Sequence, residues 1–73
     1  MSANCPKCGS HYSDYERVSI TNPGPDVYSI TVRGGKTYRQ LGISGKGEWL
    51  VYYCYSHLHN GKTIAWANLD KRY

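Results

Sequence analysis

Two cysteine-bearing pairs of equal spacing, Cys5-Pro6-Lys7-Cys8 and Cys54-Tyr55-Ser56-His57, stand at opposite ends of the chain with 45 residues between them. A fold that joins them must bring the start of the chain back against its end. Thiolate and imidazole donors two residues apart fit on one tight turn, and two such turns complete a tetrahedral set for a closed-shell ion such as Zn2+. Pro6 stiffens the first turn, and Gly9 lets the backbone fold back so that amides point at the sulfurs. Cys5, Cys8, Cys54 and His57 are the expected ligands of a structural zinc. His11 and His59 compete for the fourth place, because His11 continues the spacing of the first pair and His59 lies on the same hairpin as Cys54.

Four protein ligands leave no coordination position for water, so such an ion folds the chain and catalyses nothing. Its binding free energy, of order 10 kcal/mol or more in small zinc domains, matters to a chain of 73 residues whose core alone gains little. The plainer alternative is two ordinary thiols and a buried Cys54. A redox pair would need a helix N-terminus in a βαβ unit, and the sequence holds no such pattern. The odd number of cysteines, three, rules out a complete set of internal disulfides and points to a reducing cytoplasm.

Eight Tyr, two Trp, eight Gly and no Phe suit short strands and tight turns better than helices. The expected fold is mainly β, one domain over 1–73, with an antiparallel sheet of four to five strands. Residues 12–20 read equally as a first strand or a short helix, and TNPGPD, 21–26, is a turn. VYSITVR, 27–33, alternates Tyr28, Ile30 and Val32 on one face; Gly34-Gly35 turns the chain, and 37–43 returns. EWLVYYCYS, 48–56, reads as the central strand. Asn60-Gly61 is a hairpin turn from which 63–69 returns, and 70–73 read as a frayed, flexible tail. Trp49 and Trp66 are expected core fillers.

Asp14, Glu16, Asp26, Glu48 and Asp70 are scattered, and neither a phosphate-binding glycine loop nor a nucleophile elbow is present, so an enzyme is not expected. No apolar run approaches the roughly 20 residues that span a bilayer. Nine Lys and Arg against five Asp and Glu give +4, and three thiolates with a divalent ion would lower this only to +3. Between Asp26 and Glu48 stand Arg33, Lys36, Arg39 and Lys46 with no carboxylate, beside Tyr28 and Tyr38. Alternation along Tyr52-Tyr53-Cys54-Tyr55 sends at least one of these rings to the surface, Tyr52 being the candidate. Arg33, Lys36, Tyr38, Arg39, Lys46 and Tyr52 are therefore the expected partner-binding residues, either for a nucleic acid or for a protein surface.

The CPKCG knuckle resembles that of the zinc ribbons, small β-sheets clamped by two knuckles. The second pair departs from their Cys-x2-Cys-Gly pattern, with His57 in place of the last Cys and Leu58 in place of Gly. As a whole, from MSANCPKCGS onward, the chain resembles small transcription regulators of lytic bacteriophages. That resemblance implies binding to host bacterial RNA polymerase near the amino-terminal region of the β′ subunit, inhibition of host promoter use, antitermination, and a monomer in the host cytoplasm. The alternative expectation is a basic zinc-ribbon module that binds DNA or RNA directly.

Overall fold

Val51 and Tyr53 have no exposed surface and alternate along the central strand of the sheet. In the computed structural model, which describes residues 3–69, that strand is β2, Gly47–Cys54, flanked by β1, Asp14–Ile20, and β3, Ile64–Leu69, in the order β1-β2-β3. Both pairings are antiparallel. The 12–20 segment is thus a strand from Asp14 onward, in which Val18 and Ile20 are buried and the residues around them exposed. The register sets Val18 against Trp49 and Ala65 against Tyr53, so the apolar positions of all three strands share one face.

The sheet has three strands, not four or five. The expected strands at 27–33 and 37–43 are absent, and only a single bridge pairs Thr31 with Thr37. Gly34 and Gly35 do reverse the chain, both with positive φ, and the Val32 amide donates to the Lys36 carbonyl at 2.8 Å. What displaces the ladder is local hydrogen bonding on either side of that turn. Pro25–Tyr28 forms one turn of helix, α1, with proline at its start. Further on, Thr37 and Gln40 reciprocate, the Thr37 amide donating to the Gln40 side-chain oxygen at 2.8 Å and the Gln40 amide to the Thr37 hydroxyl at 3.3 Å. This is the capping-box arrangement of a Thr-x-x-Gln sequence, and it coils the backbone where alternation alone suggests a strand. Ile30 consequently stays 47% exposed while Val32 is buried.

The connection between β1 and β2 is therefore a folded loop laid across one face of the sheet. Val32 and Ile43 from the loop pack on Val18, Ile20, Val51, Tyr53 and Ala65, with Val27, Tyr28, Tyr38, Leu41 and Trp49 around them. The Cα extents are 36 × 28 × 14 Å. A thickness of 14 Å holds a sheet and one covering layer, given a spacing of about 10 Å between packed layers. Trp49 belongs to the covered face as expected, but Trp66 pairs with Tyr52 on the other face and is outside the core. No described helix is long and apolar enough to cross a membrane. The tail expected at 70–73 lies outside the described residues.

The loop approaches the start of β3 closely at Gly34, where a Cβ would stand 2.7 Å from the Thr63 carbonyl oxygen; at Gly35 a Cβ would meet nothing within 4 Å. Both positions carry positive φ, so alanine at either costs on the order of 1–2 kcal/mol of backbone strain. Gly34→Ala adds a backbone clash to that strain. Chemical denaturation is expected to rank the two, with Gly34→Ala the less stable; equal losses would mean that the loop does not sit against Thr63.

Candidate metal centre

Cys5 opens a knuckle closed by its own backbone. The Cys5 amide donates to the Ser10 carbonyl at 2.7 Å and the Gly9 amide to the Cys5 carbonyl at 2.8 Å, a path that Gly9 permits with φ +77°. Inside it the Lys7 amide points at the Cys5 sulfur, 3.4 Å away. The knuckle is tied to the sheet where the Ser13 amide donates to the Tyr53 carbonyl at 2.7 Å and the Tyr55 amide donates to the Ser13 hydroxyl at 3.0 Å. These bonds hold Cys5 and Cys8 against the end of β2, where Cys54 is buried.

The donors that converge are Cys5, Cys8, Cys54 and His59, whose ligand atoms all lie within 4.8 Å of one another and could hold a metal ion. The Cys8 and Cys54 sulfurs are 3.8 Å apart. His59 Nε2 lies 3.6 Å from the Cys5 sulfur and 3.2 Å from that of Cys54. A tetrahedral ion with bonds of about 2.3 Å to sulfur and 2.0–2.1 Å to nitrogen sets its ligand atoms about 3.5–3.8 Å apart. Two of these three distances fall in or beside that range and His59–Cys54 is shorter, while the set as a whole spreads to as much as 4.8 Å, so an ion would have to draw it slightly together.

The histidine that lies with the three thiols is therefore His59, and the expected His57 stands apart from them. Residues His57–His59 form a single 3-10 turn capped by Ser56, whose hydroxyl accepts from the Leu58 amide at 3.2 Å. With three residues per turn, side chains two positions apart point in different directions. His57 is turned to solvent, whereas His59 is buried at 7% exposure. The expected Asn60-Gly61 turn forms, with φ of +55° and +80° and the Lys62 amide donating to the His59 carbonyl at 3.0 Å. This turn is what presents the ring of His59 to the sulfurs. His11 is exposed and stacks on Tyr12, the ring centroids 4.2 Å apart.

The thiols sit in unlike surroundings. Hydrogen bonds from the hydroxyl and the amide of Ser10 lower Cys8 to about 6, while burial raises Cys54. A thiolate is the form that ligates a cation, so the surroundings of Cys8 favour coordination and the burial of Cys54 works against its charged form.

The other expected site residues fall into two groups. Arg33 is engaged within the fold: its guanidinium donates to Asp14 at 2.9 Å and to the Tyr55 hydroxyl, and lies 4.9 Å from the centroid of the Tyr53 ring. The bond from Arg33 holds the Asp14 carboxyl below its ordinary range. Tyr38 packs half-buried on the core, and burial raises its phenol. Lys36, Arg39 and Lys46 are exposed on the loop. Tyr52 lies on the opposite face, its ring against those of Tyr12, Tyr15 and Trp66. Apart from Tyr52, the members of that ring cluster escape a reading of the sequence, since only the strand register brings them together.

Compared with known protein families, curated proteins and solved structures, the chain matches none.

Elemental analysis of the purified chain and its variants checks the ligand set. One equivalent of metal is expected in the wild type and in His57→Ala, and none in His59→Ala or Cys54→Ser, which should also lose their cooperative thermal transition. Loss of metal in His57→Ala with retention in His59→Ala would reverse the assignment.

Proposed function

We propose that this chain is a non-catalytic, zinc-stapled regulator that docks on bacterial RNA polymerase near the amino-terminal region of the β′ subunit, inhibiting initiation at host promoters and favouring read-through of terminators. Zinc suits a closed set of three thiolates and one imidazole, and with four protein ligands it acts as a staple with no position left for a substrate. The identity of the partner rests on the resemblance to small phage regulators.

The observation that carries docking is the loop surface. From Val27 to Gly47 the loop holds no carboxylate, and Lys36, Arg39 and Lys46 are exposed along it. On the loop side of the sheet a cleft of about 290 Å³ opens between β1 and the loop, lined by Val18, Ile20, Val27, Ile30 and Tyr38 together with the polar Ser19, Thr21 and Asn22. Ile30, 47% exposed, stands at this cleft as an apolar anchor. A partly apolar cleft on a loop that carries exposed cations and no carboxylate suits an acidic, partly apolar protein segment, with the charges governing encounter and the cleft governing residence.

Capture from a bacterial lysate tests this. At about 0.3 M salt, where phosphate contacts are weakened by orders of magnitude, the zinc-loaded wild type is expected to retain polymerase subunits. The charge reversal Lys36→Glu/Arg39→Glu/Lys46→Glu should lose most of that capture, and Ile30→Asp should lose it with metal content intact. Equal capture by all of these proteins would remove the loop from the interface, and no capture by the wild type would sink the polymerase reading.

A further inference from the structure

The sheet face opposite the core is made of rings. Strand register places Tyr15, Tyr52 and Trp66 in one row across β1, β2 and β3. Centroids are 6.4 Å apart for Tyr15 and Tyr52, and 5.7 Å for Tyr52 and Trp66, which lie at 25° to one another. Tyr12 extends the row, 4.9 Å from Tyr52 and 5.6 Å from Tyr15. The next row of the same face holds Arg17, Leu50 and Asn68. None of these residues is buried, and Tyr15 is 54% exposed. The loop that covers the core lies on the other side.

Charge is sorted between the two faces. Asp14 and Glu16, the carboxylates of β1 whose partners in β2 are Tyr53 and Val51, lie on the core side. There Arg33 donates to Asp14 and the Tyr53 hydroxyl donates to Glu16. Among the described strands Glu48 is the carboxylate left on the ring face, at its margin, where the Ser19 hydroxyl donates to it. Arg17 stands on the edge strand β1 in the row next to Tyr15, and the whole chain carries +4.

Adjacent rings on an open sheet beside a guanidinium offer flat apolar surfaces to unpaired bases and a cation to the phosphates between them. A duplex hides its base faces in the stack and cannot use such a row. We propose that this face binds single-stranded nucleic acid, about two or three successive bases stacking on Tyr15, Tyr52 and Trp66 while Arg17 meets the backbone. This goes beyond polymerase docking and uses the opposite face, so either can fail without the other.

The test is fluorescence anisotropy of labelled 12-mers of oligouridylate and oligothymidylate, titrated with metal-loaded protein at 0.05 and 0.3 M salt. Binding at low salt that weakens at high salt is expected, with a 12-base-pair duplex binding less well. Tyr15→Ala, Tyr52→Ala and Trp66→Ala should each lose roughly 5- to 150-fold in affinity, from about 1–3 kcal/mol per stacked base, and Tyr15→Phe should lose little. Tyr15 is the most exposed ring, so its alanine variant separates stacking from folding, with metal content and circular dichroism confirming an intact chain. No binding of either oligonucleotide at 0.05 M salt, or equal binding by a folded Tyr15→Ala, would overturn the proposal. It would also be overturned if the ring variants lost polymerase capture while the wild type bound no oligonucleotide, because the face would then belong to a protein partner.

Discussion

The closure of Cys5 and Cys8 on Cys54 and His59 is the contact on which the rest of the molecule depends. It joins the first knuckle to the Cys54 end of β2 and to the turn between β2 and β3. The core that remains is modest: the fully buried side chains are Val51, Tyr53 and Cys54, and Cys54 belongs to the centre itself. Burial of a few aliphatic side chains at about 1.5–3 kcal/mol each does not by itself offset the ordering of a chain this size. A structural ion, with an apparent contribution of order 10 kcal/mol or more, is large on that scale.

Much of this was legible in the residues, and the exceptions have local causes. Cysteine spacing pointed to three of the four side chains that converge, because two pairs spaced alike at opposite ends of a β-rich chain suggest one shared site. It could not choose among histidines, since the choice depends on the 3-10 turn that rotates His57 outward and His59 inward. The alternation of Val51 and Tyr53 and the Asn60-Gly61 turn were equally readable. The extra strands were not real, and the cue against them was also present: Thr37 and Gln40 stand in capping-box order, and such local bonds compete with a ladder. Arg33 shows the opposite limit, because nothing near it in sequence announces that its partners are Asp14 and Tyr55.

The two faces of the sheet divide the surface by chemistry. One is covered by the loop, which brings exposed lysines and a partly apolar cleft; the other is aromatic, with Tyr12 packed beside its rings. Arg33 contributes to the separation by holding Asp14 on the loop side, at the junction of β1, the loop and Tyr55. Since guanidinium remains charged across the physiological range, that junction is insensitive to ordinary changes of pH. A small chain of two layers can in this way offer two distinct surfaces without a second domain.

Cys5 and His59 are 54 positions apart, with most of the described chain between them. During synthesis the first knuckle emerges as a half-complete set and must wait for β2 and the turn that follows it before it can close. Contacts of such long sequence separation carry a loop-closure cost and make for slow folding. Until then an ion bound to the two leading thiols is held by half its ligands and remains exchangeable. A metal held by these four side chains would thus act as a late checkpoint in folding, its final coordination bond reporting that β1, the loop and β2 have found their places.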